Sequence, residues 1–160
     1  MRSFQQAALA ALLLAATSAP AFADATAFIG ATTTPSNRQV RGAAVGSGIL
    51  VVGFEFEYSA TSSDLSTGAP SLKIGSANGL LQTPVAIFGV QPYATAGAGI
   101  YRETLNTSTE TGFAPNVGGG VKIDLAGPLR LRVDYRVFKL GSGARYSPSH
   151  RIYAGLNLKF

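Results

Sequence analysis

The chain has 160 residues, and its 13 Lys and Arg against 8 Asp and Glu give a formal charge of +5, with no cysteine. The basic residues alternate with apolar ones instead of clustering, and no aromatic-basic patch is present, which argues against a nucleic-acid partner. The missing cysteines exclude a disulfide scaffold and a lipid-anchored lipoprotein, and 46% hydrophobic residues at regular spacing exclude a disordered polar chain.

At the N-terminus, Arg2 precedes the apolar run AALAALLLAA from Ala7 to Ala16, and Ala21-Phe22-Ala23 supplies a small-x-small cleavage site. This is the pattern of a secretory signal peptide; a membrane-spanning helix needs about 20 apolar residues. The expected organisation is a removed leader over 1–23 and one domain over 24–160. After the leader, turn-forming clusters separate eight strand-like runs, near 25–34, 38–46, 49–61, 71–83, 91–105, 112–125, 129–140 and 149–160. Connections alternate in length. Gly46-Ser47-Gly48, Pro84 to Gly89 and Ala126-Gly127-Pro128 are compact; Thr61 to Pro70, Leu105 to Gly112 and Gly141 to Ser149 are longer and polar. Short turns on one side and long loops on the other predict an all-β fold, an eight-stranded antiparallel up-and-down transmembrane β-barrel with both termini in the periplasm.

The faces of the strands carry the next inference. In the third run Leu50, Val52, Phe54, Phe56 and Tyr58 share one face, and Glu55 and Glu57 the other. In the fifth, Gly97 and Gly99 lie with Tyr93, Thr95, Tyr101 and Glu103; in the sixth, Gly118 and Gly120 lie with Asn116, Lys122 and Asp124. In the seventh, Leu129, Leu131, Val133, Tyr135 and Val137 alternate with Arg130, Arg132, Asp134 and Arg136. A soluble antiparallel sandwich would also alternate. A water-facing surface gains nothing from glycine, however, whereas small residues inside a narrow barrel make room for long side chains. The polar face is therefore expected inside, with an interior charge network of Glu55, Glu57, Glu103, Asp124 and Asp134 against Lys122, Arg130, Arg132, Arg136, Arg151 and Lys159. An eight-stranded lumen is just wide enough for side chains to fill it, and desolvated charges need partners. A paired plug follows, in preference to a narrow passive pore, which would carry an excess of one sign.

The final run, RIYAGLNLKF, places Ile152, Ala154, Leu156, Leu158 and Phe160 on one face and Tyr153, Gly155, Asn157 and Lys159 on the other. Together with QPYATAGAGIYRE from Gln91 to Glu103 and NVGGGVKIDLAGPLRLRVDYR from Asn116 to Arg136, it resembles the outer-membrane protein β-barrel domain family. These are the small OmpA- and OmpX-like barrels labelled porin-family proteins. The resemblance implies integral location in the bacterial outer membrane, contact with its lipid and lipopolysaccharide, and recognition of the last strand by the barrel-assembly machinery. That role falls on Phe160, with Leu158, Leu156 and Tyr153 in support.

Relatives in architecture include lipid A deacylases and acyltransferases, small barrels with serine, histidine and acid at the wall. His150 is the one histidine and stands beside Ser147 and Ser149, but no acid that could orient it is evident. One histidine and no cysteine give no metal site, and Gly141-Ser142-Gly143 lacks the strand-to-helix setting of a phosphate loop. No catalytic, metal or cofactor-binding residue is assigned. The expectation is a monomeric, non-catalytic barrel with a structural wall and plug. Its loops, Ser62 to Gly68, Asn106 to Thr111 and Ser142 to Ser149, would carry any interaction with an extracellular ligand whose identity the sequence leaves open. A lipid A-modifying enzyme is the alternative.

Overall fold

Period-2 alternation can satisfy two different surroundings only if one face of a strand is enclosed and the other is not. The computed structural model, which describes residues 21–160, builds that arrangement from eight strands and no helix: β1 (Ala21–Thr32), β2 (Arg38–Ile49), β3 (Val52–Thr61), β4 (Ser71–Gln82), β5 (Val90–Leu105), β6 (Ser108–Ala126), β7 (Leu129–Phe138) and β8 (Ser149–Lys159). Each strand pairs antiparallel with the next, and β1 pairs with β8, closing the barrel. Along the paired lengths no edge remains, and the β5–β6 hairpin projects past β7, whose pairing with β6 begins at Asn116 and Phe138. The predicted leader over residues 1–20 lies outside the described residues. Ala21, Phe22 and Ala23, expected as its cleavage site, extend β1 and pair with Ile49, Gly48 and Ser47.

The connections sort into two ends. At the end holding the termini they span 50–51, 83–89 and 127–128. At the opposite end, called here the loop end, they span 33–37, 62–70, 106–107 and 139–148. Several strand ends shift from the sequence-based expectation, and two connections change in kind. Gly46-Ser47-Gly48 is not a turn but the end of β2, and the chain reverses at Leu50-Val51, with Leu50 at φ 54°. The glycines there relieve crowding inside the barrel: a Cβ at Gly46 would sit 3.1 Å from an Asp24 carboxylate oxygen. Likewise Asn106 to Thr111 is not a free loop. Leu105 pairs with Ser108, so the reversal is only Asn106-Thr107, and β5 and β6 form the longest hairpin of the barrel. Asn106 takes the left-handed conformation, at φ 52°, which asparagine tolerates better than most residues.

Most outward positions are apolar and open to the surroundings, as with Phe54 and Phe56, which are 70% and 66% exposed. Inward positions are buried. Toward the loop end the interior holds an apolar cluster of Leu72, Ile74, Tyr101, Ala114, Phe138 and Leu140, with Arg38 and Glu103 also buried there. From there to the termini it is polar, and its largest fully buried side chains include Arg132, Arg136, Lys122 and Tyr153.

Candidate functional site in the barrel interior

Antiparallel register stacks inward residues of neighbouring strands into rows, and one row organises the lumen: Tyr93 on β5, Gly120 on β6, Asp134 on β7 and Tyr153 on β8. Glycine at the second position lets the Tyr93 side chain lie flat across β6. A Cβ at Gly120 would stand 2.7 Å from the Tyr93 hydroxyl oxygen. That hydroxyl donates to Asp134 Oδ2 at 2.6 Å and accepts from Arg132 Nε at 2.7 Å. Asp134 in turn receives Arg136 at 2.9 Å and Arg132 at 3.4 Å.

Arg136 on β7 and Arg151 on β8 are direct cross-strand neighbours, as are Lys122 on β6 and Arg132 on β7. Like charges so placed repel. The compensating acids come from elsewhere on the wall. From β3, Glu57 meets Arg151 at 2.5 Å and Arg136 at 3.3 Å, while Glu55 forms ion pairs with Arg132 and, at 3.4 Å, with Arg136. From β1, Asp24 meets Lys122 at 2.6 Å and Arg130 at 3.2 Å. Bases on β6–β8 and acids on β1 and β3 therefore tie distant parts of the barrel together through its interior. Arg130 also donates to Asn157 Oδ1 at 2.8 Å and to Gln91 Oε1 at 3.0 Å, and Phe28 stacks on Tyr153 with ring centroids 3.9 Å apart.

Of the residues expected in this network, the structure joins Glu55, Glu57, Lys122, Arg130, Arg132, Asp134, Arg136 and Arg151. Glu103 is buried but apart, at the loop end, where it accepts the Arg145 backbone N–H at 3.0 Å. Two expectations fail. Asp124 is exposed, because a register shift between Asp124 and Ala126 leads into the Gly127 turn, and Lys159 is exposed at the rim, one residue from the C-terminal Phe160. One member, Asp24, and a separate buried cation at the loop end, Arg38, lie outside the expected set. Asp24 shares inward parity with Thr26 and Phe28 but adjoins the expected cleavage point, one residue ahead of the predicted first strand. Arg38 opens β2 and donates to the Thr34 carbonyl at 2.8 Å and to that of Pro70. The loop-end apolar cluster was also unassigned, although extending the parity of Ser76 and Asn78 back along β4 would have turned Leu72 and Ile74 inward.

His150 is on the outer wall near the loop end, and its Nδ1 pairs with the Tyr135 hydroxyl at 2.7 Å. Neither neighbouring serine faces it. Ser149 is buried inward, and Ser147 Oγ donates to the Leu140 carbonyl and accepts the Leu140 N–H, at 3.1 and 3.0 Å. Of the terminal-strand residues, Leu156, Leu158 and Phe160 are exposed on the outside whereas Tyr153 is buried inside. Phe160 and Ala23 exchange backbone hydrogen bonds at 2.9 and 3.0 Å, extending the β1–β8 seam to the last residue.

No protein-family model matches the sequence, and no curated protein matches it. Solved structures do. The N-terminal β-barrel domain of Pseudomonas aeruginosa OprF superposes with a TM-score of 0.70 at 13% identity, over 87% of this chain and 97% of that one. Neisserial surface protein A, NspA, superposes with a TM-score of 0.66 at 19% identity, over 88% and 96%. The outer membrane enzyme PagL superposes with a TM-score of 0.51 at 14% identity, over 86% and 98%. The chain has the closed eight-stranded antiparallel fold of outer-membrane β-barrels.

Proposed function

We propose that this chain is a monomeric, non-catalytic integral protein of the bacterial outer membrane, exported by a cleaved leader, with its termini periplasmic and its loop end extracellular. The observation that carries this reading is the division of the wall: apolar side chains outside, and inside a set of ion pairs joining distant strands. A lumen so occupied suits a structural barrel better than a conduit. The role at the cell surface rests with the exposed parts of 62–70 and 139–148, and biogenesis with Phe160, Leu158 and Leu156 as the signal for the assembly machinery. Single-channel recording on refolded protein tests the plug, since large steady conductance would sink it. Deleting Phe160 tests the assembly role: folded, heat-modifiable barrel should no longer reach the outer-membrane fraction. Surface labelling of a tag at Ser66, but not of one at Gly127, tests the orientation.

The second reading is a lipid A-modifying enzyme, supported by the fold shared with PagL and by an outward histidine near the loop end. Its weak point is chemical. The His150 partner is a tyrosine, and among the described residues no carboxylate is hydrogen-bonded to the ring to orient it for a serine nucleophile. Release of an acyl chain from lipid A by wild type, and not by His150→Ala, would establish it over the first.

A further inference from the structure

The outward positions of the strands carry almost no charge. Among the described residues those that do are Arg41 on β2, Lys73 on β4 and Arg102 on β5, all exposed and all near the loop end. The register places them in a single row around the wall: Arg41 pairs with Ala60, Ala60 with Lys73, Lys73 with Arg102 and Arg102 with Thr111. Lys73 and Arg102 are thus direct neighbours on strands about 4.8 Å apart, and Arg41 is about 10 Å from Lys73. Like charges opposite one another cost stability, and the described residues show no acid paired with any of the three. The interior answers its own like-charged neighbours with carboxylates from other strands; the outer wall does not.

Immediately below this row, two residues nearer the termini on each strand, lie Ala43, Tyr58, Gly75 and Ile100. They open a shallow groove of about 720 Å³ whose floor is Gly75, Ala77 and Ala98, flanked by Phe56 and Val45. We propose that Arg41, Lys73 and Arg102 form a binding site for the phosphates of a multiply phosphorylated, acylated lipid in the leaflet at the loop end, with its chains lying in this groove. The site rests on the membrane reading above. Three cations in a row over an apolar channel complement a phosphorylated headgroup above hydrocarbon, and the occupant is diphosphoryl lipid A in preference to a lipid with a single phosphate.

The test uses refolded protein in phosphatidylcholine vesicles containing labelled diphosphoryl lipid A, with enrichment around the protein read by energy transfer. Wild type should enrich lipid A over phosphatidylglycerol. Arg41→Gln, Lys73→Gln and Arg102→Gln should each lose roughly fivefold, Arg102→Lys and the distant Lys139→Gln should retain it, and Ala77→Phe should weaken it by filling the groove. Each variant is checked for heat-modifiable migration, so a misfolded protein is not scored and the remaining single variants decide. Equal enrichment of dephosphorylated lipid A, or full enrichment by all three glutamine variants, overturns the site. A wild type that inserts but shows no preference overturns the site and leaves the barrel intact; one that fails to insert overturns the membrane reading with it.

Discussion

Two tiers of one lumen use opposite chemistry. Around Asp134 the interior is a lattice of ion pairs drawn from five strands, whereas toward the loop end Leu72, Ile74, Tyr101, Ala114, Phe138 and Leu140 pack as an ordinary apolar core. The apolar tier tolerates graded loss, since the cost scales with the atoms removed and the cavity they leave. The charged tier does not, because deleting one member leaves its partners desolvated and unpaired. Robustness and specificity are thereby separated along the barrel axis.

The contrast is tested most severely by Arg132→Leu, which strands Glu55 and Asp134 together. A loss of about 3 to 5 kcal/mol is expected, measured by denaturant titration in lipid vesicles; stability equal to wild type would show that the pairs are incidental. On the outer face, Leu131→Arg should cost about 2 to 4 kcal/mol if it lies near the bilayer midplane, and Leu131→Val far less. A tolerated arginine would mean that β7 does not meet lipid. Coupling within the charged tier comes next: a double-mutant cycle on Asp24 and Lys122 should give an interaction of about 0.5 to 3 kcal/mol, with strict additivity as the adverse result. In the apolar tier, Ile74→Val should cost only about 0.5 to 1.5 kcal/mol, and a cost matching that of Arg132→Leu would erase the distinction between tiers.

The smallest effect is local. Asp64, in the exposed 62–70 connection, accepts from the Ser66 hydroxyl at 2.6 Å, the Ser66 N–H at 3.0 Å and the Ser36 hydroxyl at 3.2 Å. The Ser66 hydroxyl above all, with Thr67 and Ser36 assisting, holds its carboxyl at about 2, below the usual 3.8. Because the folded value is depressed, the loop's added stability is present above about pH 4 and is lost as pH falls through about 2. The Ser66 amide shift, followed by NMR, should titrate with a midpoint near 2; a midpoint near 4 would mean these bonds do not form.

Strand number, order and facing were legible because lipid and lumen impose opposite requirements on alternate residues, most plainly in the Arg130-to-Val137 stretch. What escaped detection did so for definable reasons. Glycine signals both turns and close packing, so Gly46 to Gly48 was mistaken for a reversal when it makes room for Asp24. Parity says which way a residue points but not how far along the barrel it stands, so Asp124 and Lys159 counted as interior although they reach the rim. Apolar residues at inward positions, such as Leu72, match neither surface of a polar-lined barrel. Which acid answers which arginine depends on distances across the lumen, which one-dimensional spacing does not encode.

The seam between β1 and β8 has a kinetic consequence. The other seven pairings join strands adjacent in sequence, and each can form as a hairpin closed by its own connection. The pairing of Asp24 with Lys159 spans nearly the whole chain, so its loop-closure entropy is the largest in the molecule. Closure thus comes after the hairpins, and until it does β1 and β8 are open edges, each able to pair with another chain. The interval before that closure is the one in which the chain is most open to pairing with another copy of itself.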